Sequence, residues 1–331
     1  FLDLAGAYRD RYHFRMVGVT GSVGKTTTKE MIAQVLSAQF ETLKTQGNFN
    51  NRVGLPKTLL ELDETVQAAV IEMGMNHFGE ISDLTRRAKP DAAVITNIGV
   101  AHIEYLGSRE GILKAKMEIT EGMTPGSPLI LNGDDDMLKS YTSRDGRTPV
   151  YFGLTSSCPF HVENIERKGL KGTYAEFVTP TSRFHAHISI PGDHMIYNAL
   201  AGVAVGYALG MNNDEIARGI EKLVPIAGRN NLIEAKHYTI IDDCYNANPA
   251  SMKSSLDVLA YADTRKVAIL GDMGELGADE LAMHREVGAY AAFKNTDVLV
   301  CIGALSKDMA EAAKELSLIH ISEPTRLLSI S

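Results

Sequence analysis

The chain has 331 residues, 44% hydrophobic and 22% charged, with a net charge of −8. That length suggests two domains, and the composition excludes a disordered chain. The acidic balance excludes the basic stripe of a nucleic-acid binder, and no apolar run reaches the roughly 18–20 residues of a membrane span. Cys158, Cys244 and Cys301 are far apart and form no paired motif, so neither a disulfide framework nor a zinc site is suggested. A reducing cytoplasm fits best.

Residues 1–13 read as a helical linker. With no initiator Met and no basic-then-apolar leader, the start is expected to lie inside a longer protein. Phe14–Thr20 reads as a strand, followed by glycines and a helix from Lys25 to about Ala38. Ala68–Ile71, Ala92–Thr96 and Pro128–Leu131 are further short apolar runs, with helical stretches at Glu80–Ala88 and Arg109–Gly122. This alternation predicts an α/β fold with a mostly parallel sheet covered on both faces. From Pro149 to Ile190 the pattern changes to short alternating stretches, which predict a small antiparallel β-rich segment. Helices follow at about Met195–Leu209 and Asp214–Leu223, then a hinge at Pro225–Arg229. Strands at Tyr238–Ile241, Lys266–Leu270 and Val298–Ile302, with a helix at Ser251–Tyr261, predict a smaller, truncated Rossmann-like α/β domain. From about Leu316 the rhythm is lost. The expected organisation is a linker at 1–13, a P-loop central domain at 14–225, an incomplete C-terminal domain at 226–315 and a non-native tail at 316–331.

The run Gly18-Val-Thr-Gly-Ser-Val-Gly-Lys-Thr-Thr27 lies between the first strand and the helix. Glycines let backbone N–H groups approach a phosphate, and the helix N-terminus adds its positive dipole end. Gly21, Ser22, Val23, Gly24, Lys25, Thr26 and Thr27 are therefore candidate nucleotide contacts, with Lys25 reaching the outer phosphates and the Thr26 hydroxyl ligating Mg²⁺. The standard loop would have a glycine where this chain has Val19. A P-loop enzyme also needs a carboxylate at the end of a nearby strand, and Glu72 is so placed. His102 lies in the loop 97–108, expected at the C-terminal edge of the sheet, where open α/β sheets bind ligands. Lys116 follows on a helix. A lysine beside Mg²⁺ would be repelled unless a carbamate reversed its charge; otherwise it reads as part of a solvated helix face.

Several motifs in register resemble the Mur ligases. They are the phosphate loop, Asn48-Phe-Asn-Asn51 with Gly54-Leu-Pro56, Glu72-Met-Gly-Met-Asn76, Thr96-Asn-Ile-Gly-Val-Ala-His102 and Ala115-Lys-Met-Glu-Ile119. Further on come Gly192-Asp-His-Met-Ile-Tyr-Asn198, Gly228-Arg229, Asp242-Asp-Cys-Tyr-Asn-Ala-Asn-Pro249 and Leu270-Gly-Asp-Met-Gly-Glu-Leu-Gly277. The resemblance covers about residues 1–310 and is strongest to the branch that adds D-alanyl-D-alanine to a UDP-muramoyl-tripeptide. It implies an ATP-dependent ligase of peptidoglycan precursor synthesis, cytoplasmic and monomeric, with ATP and two Mg²⁺ ions. It also implies roles: Lys25 and Thr26 at the phosphates and first metal, Glu72 between metals, His102 and carbamylated Lys116 at the second metal. Asn198 would meet the adenine, Arg229 the γ-phosphate and Asp243 the ribose, with Asn246 and Asn248 nearby. Asn48, Asn50 and Asn51 would line the substrate side, and His284 would face either the nucleotide or solvent. The alternatives are a sister ligase such as a folylpolyglutamate synthase, an ATP-binding fragment without ligase activity, and a P-loop switch protein.

Overall fold

The computed structural model describes residues 1–141 and 147–316; the reading of a non-native tail falls, from residue 317 on, outside them. Two compact units form. The first comprises Phe1–Lys168, Gly172–Ser189 and His194–Val224; the second comprises Gly169–Lys171, Ile190–Asp193 and the chain from Pro225.

In the first unit, helix α1 (Leu2–Arg9) leads to β1 (Arg15–Thr20), α2 (Lys25–Leu36), β2 (Thr42–Lys44), α3 (Gly54–Leu59) and β3 (Ala68–Glu72). Then come α4 (Glu80–Ala88), β4 (Ala92–Ile95), α5 (Ile103–Leu106), α6 (Arg109–Met117), β5 (Leu129–Asn132) and β6 (Val150–Phe152). The six strands make one sheet in the order β2-β3-β1-β4-β5-β6, every pair parallel. The central strands β3 and β4 are buried along their whole length, as strands covered by helices on both faces must be. This order puts the C-terminal ends of β3 and β4 on either side of the end of β1, so three loops meet there.

The antiparallel segment is a three-stranded sheet of β7 (His161–Arg167), β8 (Thr173–Val178) and β9 (Arg183–Ile188). Helices α7 (Asp193–Ala208) and α8 (Asn213–Glu221) follow. Helix α8 meets α2 so closely that a Cβ at Gly219 would stand 2.4 Å from the Cα of Val35. The second unit has an antiparallel pair, β10 (Asn231–Glu234) with β11 (Thr239–Asp242), then α9 (Pro249–Ala260). A parallel pair follows, β12 (Val267–Gly271) with β13 (Val298–Ile302), flanked by α10 (Glu280–Phe293) and α11 (Ser306–Glu315). Among the described residues no helix is long and apolar enough to cross a membrane.

One predicted helix is shorter than its sequence pattern. The stretch Arg109–Gly122 is α-helical only to Met117 and closes in a 3₁₀ turn. Glu118 turns out to accept the backbone N–H groups of Gly79 at 2.8 Å and Ser82 at 3.2 Å, placing an anion at the N-terminus of α4. Gly122 then abuts the Thr85 carbonyl, where a Cβ would lie only 2.1 Å away.

Candidate functional site

The phosphate loop is built by cross-bracing between the segment after β1 and the segment after β4. Gly21 has φ +150°, and a Cβ there would lie 1.9 Å from the Thr96 hydroxyl. Asn97 braces the loop three times. Its backbone carbonyl accepts from Ser22 N–H at 3.0 Å, its side-chain carbonyl from Val23 N–H at 2.9 Å, and its amide donates to Val23 O at 2.9 Å. Thr96 Oγ1 also donates to Val23 O at 2.7 Å. Gly24, at φ +80°, opens α2, leaving the first-turn N–H groups as the donors a helix cannot satisfy itself. Lys25 Nζ lies over the loop, donating to Gly21 O at 3.0 Å. This is the arrangement of an anion site; Thr26 and Thr27 stand half-buried in the same turn.

Glu72 ends β3 beside Val19 and is 1% exposed. Its main chain is held by Thr45, whose hydroxyl accepts Glu72 N–H at 3.0 Å. Its Oε1 accepts from Asn50 Nδ2 at 2.7 Å. Its Oε2 is buried with no hydrogen-bond partner among the described residues. A buried carboxylate oxygen without a donor is costly, so the position fits a bound cation.

Lys116 is buried on α6, and a solvated helix face is thereby excluded. Burial first, then the neighbouring charge of Lys25, pushes its amine well below the ordinary lysine range. A neutral amine is the form that can take up carbon dioxide as a carbamate. His102 has φ +64°, an unfavourable conformation for a non-glycine residue, of the kind that recurs at functional sites. Among the described residues no three His, Cys, Asp or Glu side chains cluster as a ready metal site. Of the residues expected to hold divalent ions, Thr26, Glu72, His102 and Lys116, Glu72 supplies the one buried carboxylate oxygen without a partner among the described residues.

Asn198 sits behind the phosphate loop on α7, where its Oδ1 accepts from Thr28 Oγ1 at 2.7 Å. Of the asparagines 48–51, Asn48 is exposed. Asn50 reaches Glu72, and Asn51 accepts the N–H groups of Val53 and Gly54 at 3.0 and 2.9 Å, starting α3.

The second unit has its own cluster. The Arg229 guanidinium lies 3.9 Å over the Tyr245 ring, a cation–π contact. Asp242 accepts from Gly228 N–H at 2.9 Å, and Asp243 from Asn230 N–H at 3.2 Å and from the Ser255 hydroxyl. Burial raises the Asp243 carboxyl, outweighing these donors and Arg229. Asn246 accepts from Ala247 N–H, while Asn248 caps α9 in a reciprocal box with Ser251. His284 is neither on the surface nor turned to a ligand. It is fully buried, with Nε2 accepting Met273 N–H at 3.0 Å and Nδ1 against Glu280 O at 2.6 Å.

Residues 19–206 match the Mur ligase middle domain, and residues 228–330 match the Mur ligase, glutamate ligase domain. The chain belongs to the Mur ligase family. It is 40% identical over 314 residues to the UDP-N-acetylmuramoyl-tripeptide–D-alanyl-D-alanine ligase of Bacillus subtilis, covering 94% of this chain and 67% of that relative. A crystal structure of MurF from Acinetobacter baumannii superposes with a TM-score of 0.91 at 33% identity, over 97% of this chain and 70% of that one. MurF from Thermotoga maritima, solved in complex with ADP, superposes with a TM-score of 0.86 at 31% identity, over 98% and 74%. Within this Mur ligase chain, sequence reasoning missed Lys29, Thr45 and the role of Asn50. Lys29 is fully buried, donating to Thr45 O at 2.6 Å and pairing with Glu30 at 2.8 Å. A lysine inside the buried face of α2 was the available signal.

Proposed function

We propose that the chain is an ATP-dependent ligase that joins D-alanyl-D-alanine to UDP-N-acetylmuramoyl-tripeptide, forming an amide bond in peptidoglycan precursor synthesis. The observation that carries the reading is Glu72. It is a strand-end carboxylate with one oxygen clamped and the other buried without a partner among the described residues, next to a phosphate loop. The similarity to ligases of this specificity supplies the substrates. Residues 14–225 are assigned as the ATP-binding central domain and 226–315 as the C-terminal ligase domain.

A carboxylate resists attack by an amine because it is anionic and its oxygen leaves poorly. Transfer of the γ-phosphoryl group of ATP to the tripeptide carboxylate gives an acyl phosphate and ADP. The dipeptide amine then attacks the acyl carbon, phosphate leaves and the amide forms. Positioning and charge stabilisation dominate phosphoryl transfer. In this reading Lys25 and the N–H groups of residues 21–27 hold the phosphates and offset the charge that develops on them. Bound Mg²⁺, in two ions, would polarise the phosphoryl oxygens and offset their charge. Thr26, Glu72, His102 and carbamylated Lys116 would hold it. Arg229 is assigned to the γ-phosphate, Asn198 to the adenine side, and Asp243 and Asn246 to the ribose side. Asn48 and Asn51 remain assigned to the substrate side. The enzyme would act as a cytoplasmic monomer.

The test is phosphate release from Mg²⁺-ATP with UDP-muramoyl-tripeptide, with and without D-alanyl-D-alanine. Release that requires the dipeptide is expected. Release driven equally by a single amino acid or by glutamate would move the assignment to a sister ligase, and nucleotide binding with no release to a non-catalytic fragment.

A further inference from the structure

The side chain of Asn50 belongs to a clamp that no substrate contact explains. Its Nδ2 donates to Glu72 Oε1 at 2.7 Å, the only hydrogen bond found for that carboxylate among the described residues. The asparagine is itself held from the far side. Gly74 N–H donates to Asn50 O at 2.8 Å, and a Cβ at Gly74 would stand 2.9 Å from the Cγ, Nδ2 and Oδ1 of the Asn50 amide. Gly74, two residues beyond Glu72, therefore lies close against the amide, with no room for a side chain of its own. The backbone of Glu72 is fixed separately by Thr45.

We infer that Asn50 is a positioning residue for Glu72: it fixes one carboxylate oxygen so that the other, Oε2, is presented to the metal of the nucleotide. The inference rests on the ligase reading of this site and gives Asn50 a different role from the contact with substrate first expected of it. An amide suits the task. It donates without adding charge, whereas a carboxylate at position 50 would repel Glu72 and a lysine would compete with the metal. Groups that orient a metal ligand change metal affinity by roughly 10–100-fold when removed.

The experiment compares the native chain with Asn50→Ala, Asn50→Asp and Gly74→Ala. Gly74 has an ordinary φ, so its alanine variant acts on the Asn50 amide rather than through backbone strain. Two quantities are read: Mn²⁺ binding by electron paramagnetic resonance with a non-hydrolysable ATP analogue, and analogue binding in excess chelator. Circular dichroism controls for folding. The expected result is weaker Mn²⁺ binding, on the order of 10-fold or more, in all three variants, with metal-free analogue affinity unchanged. Turnover should recover in part as Mg²⁺ is raised. Native-like Mn²⁺ affinity in folded Asn50→Ala, with a raised KM for the muramoyl-tripeptide, would overturn the inference and return Asn50 to the substrate. If the native chain binds no Mn²⁺ with the analogue, the ligase reading fails first and the inference with it.

Discussion

Replacing Lys29 by methionine probes the support beneath Glu72 from the other side. The Lys29 ammonium is fully buried, 2.6 Å from Thr45 O and 2.8 Å from Glu30 Oε1. Methionine keeps most of the unbranched stem, one atom shorter, and removes the charge. The Thr45 carbonyl then loses a charged donor, a loss of about 1.5–3 kcal/mol. Glu30 keeps Lys44 and is not stranded, and burying an apolar tip instead of an ammonium offsets part of the loss. The net expectation is a destabilisation of about 1–3 kcal/mol, which lowers the melting temperature of a unit of this size by roughly 2–12 °C.

The pH dependence is distinctive. Burial works to raise the Glu30 carboxyl, but hydrogen bonds from Lys29 and Lys44 outweigh it and hold it below its ordinary value of 4.5. A carboxyl depressed in the folded state contributes stability that is full above that ordinary value and is lost as pH falls through the folded one. With one of its two cations gone, Glu30 should contribute less to acid sensitivity. Urea unfolding of the native and Lys29→Met chains at neutral pH and at about pH 4 measures both effects. A variant as stable as the native chain at neutral pH, or one that loses more stability in acid, would refute the reasoning.

Lys116→Met should abolish turnover yet stabilise the metal-free chain, because it removes an amine whose burial disfavours its charged form. The native chain should therefore gain stability relative to the variant as pH rises towards 10.5, since the unfolded state holds the extra proton over that range. Equal pH profiles in chemical denaturation would contradict this, and the absence of a carbamate signal in labelled bicarbonate would contradict the modification. Arg229→Ala should lower kcat, and loss of its contact with Tyr245 should cost the second unit about 0.5–1 kcal/mol, readable by calorimetry; unchanged turnover would remove it from the γ-phosphate. His284→Ala should destabilise the second unit by about 2–4 kcal/mol, by leaving a cavity and the Met273 N–H without its acceptor. Native-like thermal unfolding of that unit would show that the loop 271–277 does not depend on it.

The parallel sheet was legible because its strands are apolar runs of the right length between helical patterns, and strands such as β3 and β4 are buried on both faces. Short or unpatterned elements escaped. β2 has only three half-buried residues and leans on β3 for its pairing. Helix α10 spreads its apolar residues around its circumference, so no stripe marks it. The end of α6 escaped for a different reason: it depends on Glu118 capping α4, a contact across 39 residues of sequence.

The site divides in the same way. Lys25, Glu72 and His102 stood out in the sequence because Lys25 and His102 follow strands and Glu72 ends one, where the proposed chemistry asks for those residue types. Lys29, Thr45 and Asn50 touch no proposed ligand, and the bonds that link them to one another and to Glu72 span 16 to 27 residues of sequence. What joins them is a short relay of contacts: Lys29 to the Thr45 carbonyl, the Thr45 hydroxyl to the Glu72 backbone, Asn50 to the Glu72 carboxylate. A carboxylate only 1% exposed, with one oxygen unpartnered among the described residues, pulls against the fold, and it persists where its surroundings over-determine it. Backbone and side chain of Glu72 have separate holders. Weakening Asn50 should therefore change metal affinity with little change in stability, and weakening Lys29 should change stability first.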